Sequence, residues 1–153
     1  MTQGCGGTLV GNKYVITAAH CTNGRHPNNI TVLIGVTTLG VANVNTKNFR
    51  NVYKIIIHPE YNNKIRSGND IAVLVLGSPV DLFAHPNVKP ACLPTTETRA
   101  DMYGRDAVVS GWGSLGIKGP LSSHLQEVRV KILPHCGNYK GKIQNIQLYL
   151  KNI

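Results

Sequence analysis

Acidic residues are scarce in this chain: seven Asp and Glu stand against sixteen Lys and Arg, a formal charge of +9 over 153 residues. After Glu127 there is no acid at all, only five cations. Such an excess raises nucleic acid or an anionic membrane as partners. The basic residues are scattered singly, however, from Lys13, Arg25 and Lys47 to Arg50 and Lys54, with no block of five like charges and no interleaved aromatics. The charge reads as a solvated surface, and neither nucleic acid nor membrane is expected as a partner. Long apolar runs are missing too: no stretch nears the ~18 residues that a membrane helix needs. The opening MTQGCGG has neither the basic region nor the apolar core of a signal peptide. Metal-ligand spacing is also lacking. The four cysteines (5, 21, 92, 136) form no C-x-x-C pair, and the six histidines (20, 26, 58, 85, 124, 135) form no H-x-x-x-H pair. Zinc sites are usually built from such local pairs, so no metal and no cofactor is expected.

What is present is a series of short, β-branched apolar runs bounded by Gly, Asn and Pro. They are KYVITAA (13–19), ITVLIGV (30–36), VYKIIIH (52–58), IAVLVL (71–76) and DAVVSGW (106–112). LQEVRVKIL (125–133) alternates, with Val128, Val130 and Ile132 on one face and Arg129 and Lys131 on the other. Helical periodicity is weak everywhere, with 121–127 and 135–150 as its best segments. The pattern predicts an all-β, antiparallel sandwich or barrel. LPTTETRADMYGR (93–105) separates two strand-rich regions and reads as the linker between two sheet units.

Four features bear on chemistry. His20 lies in TAAHC, at the end of a strand-like run. It is open to reading as a metal ligand, a catalytic base or a core histidine. Asp70 stands directly before the apolar run IAVLVL. It is either a turn aspartate or a buried carboxylate set against an imidazole, where it would fix the tautomer and stabilise the imidazolium. Cys5 and Cys21 bracket a turn between two strand-like runs, which suits a bridge worth about 3 kcal/mol in the chain-entropy model. A disulfide implies an oxidising compartment. GWGSLG (111–116) matches G-x-G-x-x-G, but IKGPLSS follows and no helix opens there. It is therefore a turn beside Trp112 and not a dinucleotide site. Asn29-Ile30-Thr31 is in addition a glycosylation sequon.

Taken in order, CGGTLVGNKYVITAAHC, NDIAVLVL, PACLP and VSGWGSLG resemble the chymotrypsin-like (trypsin-like, peptidase family S1) serine endopeptidases, from residue 4 to about 139. The resemblance implies two antiparallel β-barrels, the first over about 4–95 and the start of the second over about 105–135, followed by a divergent tail at 137–153. It implies His20 as general base, Asp70 as its orienting carboxylate, and a Cys5–Cys21 bridge beside them. It also implies a secreted hydrolase that acts on polypeptides, takes protein inhibitors and needs no cofactor. A hydroxyl is a weak nucleophile at neutral pH. The imidazole removes its proton and later returns it to the leaving amine, while backbone N–H groups hold the oxyanion.

The departures from the family pattern matter as much. Its nucleophile sits in a G-D-S-G-G segment, and none of the serines here (67, 78, 110, 114, 122, 123) has a comparable setting. The I-V-G-G start is missing as well. With Cys5 and Cys21 paired, Cys92 and Cys136 remain unpaired. In the family, the counterpart of Cys92 often bonds an upstream chain and that of Cys136 a cysteine further on. The expectation is an incomplete protease domain, inactive by itself. The alternative is a non-catalytic protease homologue that acts as a binding or regulatory module.

Overall fold

A computed structural model describes residues 5–40, 46–62, 68–95, 100–114 and 119–134, and the backbone of 149–152. Among the described residues the fold is all-β, every paired couple of strands runs antiparallel, and the chain divides into two units. The first holds the described residues 5–36, 46–62 and 68–93; the second holds 37–40 and those from 94 onward.

The first unit contains β1 (Thr8–Val10), β2 (Tyr14–Thr17), β3 (Thr31–Leu33), β4 (Phe49–Ile57) and β5 (Ala72–Leu76) in the order β1-β2-β5-β4-β3. The sheet curls into a half-barrel. β5 is the centre of this order, and it buries Ala72, Leu74 and Leu76 while Val73 and Val75 are half-buried. A strand covered on both sides reads as a continuous apolar run, which is what AVLVL is. Leu74 and Leu76 join Val15, Ile34, Val52 and Val80 in the core, with Leu9, Ile30, Val32, Ile55, Leu82 and Val88 packed around them. In β4 the register shifts between Val52 and Lys54, and Tyr53 bulges out 75% exposed. A bulge bends its strand and tightens the twist, which helps the sheet curl.

Two details fix the edge of this sheet beside residue 5. Gly7 lies so close to β2 that a Cβ would stand 2.7 Å from Val15 Cγ1 and 3.2 Å from the Ile16 carbonyl oxygen. Only glycine permits that approach. The Thr17 hydroxyl donates to the Gly6 carbonyl at 2.8 Å. The segment leading from Cys5 is therefore held against β2.

The second unit contains β6 (Asp106–Gly111), β7 (Gln126–Leu133) and β8 (Tyr149–Asn152) in that order. Val130 and Ile132 are buried, while Val128, on the same face, is 41% exposed. No helix forms at 121–127: Leu121 bridges Ser114, and Gln126 and Glu127 pair with Gly111 and Ser110. The segment 135–150 ends in the strand β8, and its earlier residues lie outside those described. The indole N–H of Trp112 donates to the Thr37 carbonyl at 3.2 Å.

Asp106 and Lys131 face each other across β6 and β7, and Lys131 Nζ donates to Asp106 Oδ1 at 2.6 Å. The Lys131 hydrogen bond and charge hold the Asp106 carboxyl below 3.8. In a carboxyl-carbon NMR titration its midpoint is expected below that value, and Lys131→Met is expected to raise it. The carboxylate form is the stabilised one. Its small contribution is therefore present above the unfolded value of 3.8 and is lost as the pH falls through the lower folded one. An unchanged midpoint in Lys131→Met would refute the pairing.

Candidate active site

His20 sits in a 3-10 turn, Ala19–Cys21, two residues past the end of β2. Asp70 lies two residues before the start of β5. β2 and β5 are antiparallel partners, and their last pair is Thr17↔Ala72. The end of one strand and the start of the other thus meet at the same edge. Fifty residues of sequence separation become hydrogen-bond contact.

The turn is held from below. Ala19 is fully buried, and its carbonyl accepts from the backbone N–H groups of Thr22 at 3.0 Å and Asn23 at 2.8 Å and from the buried Thr22 hydroxyl at 3.1 Å. Asp70 is aimed by Asn69, whose φ of 50° lies in the left-handed region. Asn is among the few non-glycine residues that tolerate this conformation. Its side-chain amide donates to the Glu60 carbonyl at 3.1 Å and anchors the bend.

Two hydrogen bonds join the pair. The His20 backbone N–H donates to Asp70 Oδ1 at 2.8 Å, and His20 Nδ1 stands 2.6 Å from Asp70 Oδ2. Burial works to raise the Asp70 carboxyl. The His20 side-chain bond, the His20 N–H, the imidazole charge and the Ala19 N–H outweigh it and hold the group below 3.8. At neutral pH the carboxylate is therefore ionised and can only accept. The ring proton then belongs on Nδ1, which leaves the Nε2 lone pair of the neutral ring unused. The His20 side chain is 63% exposed and that of Asp70 24%. Nε2 can thus take a proton from a group arriving from solvent, with a charged partner already in place behind it.

Cys5 and Cys21 are joined as a disulfide with Cα atoms 6.2 Å apart, and Cys21 Sγ lies 3.5 Å from His20 Nε2. Cys92 is an exposed free thiol, and Cys136 lies outside the described residues. Asn29 is exposed at the end of a 3-10 turn, with Thr31 of its sequon also exposed at the start of β3.

Among the serines, Ser114 donates to the Gly119 carbonyl at 2.9 Å and Ser122 to the His124 carbonyl at 2.6 Å. Ser123 Oγ lies 3.1 Å from His124 Nδ1, a neighbouring pair that the sequence reading did not single out. Ser110 is exposed on β6 and pairs with Glu127, Ser78 is exposed, and Ser67 lies outside the described residues.

Comparison with known proteins bears on the family of the chain. Residues 1–151 match the sequence profile of the family described as "Trypsin". "Serine protease filzig" of Drosophila melanogaster is 39% identical over 129 residues, covering 84% of this chain and 7% of that protein. "Transmembrane protease serine 11G" of Rattus norvegicus is 40% identical over 131 residues, covering 84% and 29%. "Coagulation factor XI" of Bos taurus is 35% identical over 130 residues, covering 84% and 20%. The chain thus spans less than a third of the length of each of these relatives. Among the described residues, no helix is long and apolar enough to cross a membrane. A profile matched over nearly the whole sequence, and relatives at this level of identity, leave one conclusion: the chain belongs to the trypsin family of serine proteases.

Proposed function

We propose that this chain supplies the base half of a secreted serine endopeptidase that cleaves polypeptides, with His20 as the general base and Asp70 as the carboxylate that orients it. The observation that carries the reading is the 2.6 Å contact between His20 Nδ1 and Asp70 Oδ2, on a ring whose side chain is 63% exposed. That arrangement holds the ring in the tautomer a hydroxyl nucleophile requires. It also stabilises the imidazolium formed when the proton arrives.

The nucleophile is not among the serines of these 153 residues, none of which stands in a G-x-S-x-G setting. The chain by itself is therefore inactive in peptide cleavage. The Cys5–Cys21 disulfide supports the secreted reading, since such bridges persist in oxidising compartments. The exposure of the Cys92 thiol supports a bond to an upstream chain.

The test is labelling with a serine-directed fluorophosphonate. The 153-residue chain is expected to stay unlabelled under conditions in which a complete trypsin-family enzyme reacts fully. Stoichiometric labelling of any of its serines would overturn the proposal.

A further inference from the structure

We infer that reducing the Cys5–Cys21 bridge turns the His20–Asp70 pair into a binding site for a thiophilic divalent cation such as zinc, with His20 Nε2 and both cysteine thiolates as ligands. The donor atoms of Cys5, His20 and Cys21 already lie within 4.8 Å of one another. Tetrahedral zinc with bonds of about 2.0 Å to nitrogen and about 2.3 Å to sulfur sets the two kinds of ligand about 3.5 Å apart. His20 Nε2 and Cys21 Sγ stand at 3.5 Å. Two thiolates on one zinc sit about 3.8 Å apart by the same geometry. Reaching that separation requires the reduced Cys5 side chain to rotate about its Cα–Cβ bond; the Cα atoms stand 6.2 Å apart.

The surroundings suit a metal. Cys5 and His20 are exposed, so a cation can enter and a water can take the fourth position. Besides the bridge, the Thr17 hydroxyl bond to Gly6 and the close approach of Gly7 tie the segment from Cys5 to β2. Behind the ring, Asp70 accepts from Nδ1–H, which is the outer-shell partner that zinc-bound histidines ordinarily have. Two thiolates and an imidazole form a donor set that zinc favours over magnesium or calcium.

The chemistry balances with a phosphine as reductant. The phosphine and one water convert the disulfide to two thiols and a phosphine oxide. The cation then displaces two protons from the thiols and takes the Nε2 lone pair. That lone pair is the one the base uses, so metal binding and proton transfer exclude each other. The disulfide, while intact, keeps His20 free of metal.

The test uses the full chain with Cys92→Ser and Cys136→Ser, which leaves two cysteines. It is reduced with phosphine, freed of reductant under anaerobic conditions and titrated with Co²⁺. The expected result is one cobalt per reduced chain, with sulfur-to-cobalt charge transfer and tetrahedral ligand-field bands, and none in the oxidised chain. Asp70→Asn is expected to weaken binding about 10–100-fold, and His20→Ala at least as much. Asp70 reaches the cysteines only through the folded ladder, so an unfolded chain binding through two thiols would not respond to it. Three outcomes would overturn the inference: no thiolate charge transfer after reduction, equal binding by the oxidised chain, or an affinity untouched by both substitutions.

Discussion

Asp70→Asn is expected to lower turnover about 10,000-fold in a chimera that places residues 4–134 of this chain between the I-V-G-G start and the C-terminal, G-D-S-G-G-bearing part of a trypsin-family protease. That magnitude is the one established for Ser–His–Asp triads generally, and the geometry here gives its cause. Asp70 uses one oxygen for the His20 backbone N–H and the other for Nδ1. In the asparagine variant the backbone bond retains the single carbonyl oxygen, so the amide NH₂ faces the ring. It donates to Nδ1 and drives the ring proton to Nε2, where a base needs a lone pair. Substrate binding does not involve this exchange, so kcat should fall with KM nearly unchanged. A loss below tenfold would show that the carboxylate does not set the tautomer.

Leu76→Ala should be strongly destabilising in the first unit. Leu76 has 0% exposure, pairs with Val52 across β4 and β5, and packs among Val15, Ile34, Leu74 and Val80. Truncating such a leucine costs about 2–5 kcal/mol through lost transfer energy and the cavity left behind. Total stabilities run to about 5–15 kcal/mol, so the loss is a large share. The urea midpoint should fall accordingly. Because β5 leads directly from Asp70, the unfolding seen by an amide probe at His20 should shift with it. Phe83→Ala is the control: Phe83 is 98% exposed, and its removal should change stability by less than about 0.5 kcal/mol. Equal midpoints for the two variants would mean that the core does not lie where Leu76 is.

The fold was legible where apolar runs are long and β-branched. IAVLVL and LQEVRVKIL each became one strand, Ala72–Leu76 and Gln126–Leu133, within a residue of the expected bounds. β1 was not legible, because three residues, TLV, carry too little periodicity to stand apart from a turn. Nor was the bulge at Tyr53, which is a choice of register made by the partner strand. Val128 shows the limit of alternation: it keeps the parity of Val130 and Ile132 yet stays exposed, since parity assigns a face and not the depth of what covers it.

The site divides in the same way. Spacing alone left Asp70 as a turn aspartate or a buried carboxylate, and only the motif resemblance set it beside His20. The 2.6 Å contact is created by strand pairing at long range, which no local pattern encodes. The Cys5, His20, Cys21 cluster was hidden for the same reason. Fifteen residues separate Cys5 from His20 in sequence, and the spacing rules for metal ligands look for near neighbours.

The Thr17↔Ala72 pair closes the ladder just beneath the dyad. The relative placement of His20 and Asp70 is therefore inherited from a backbone register that side-chain drift elsewhere leaves alone. Exposed stretches such as 24–26 and 83–84 can change composition without moving that register. A ladder of this kind lets the outer surface diversify while the contact between residues 20 and 70 keeps its geometry.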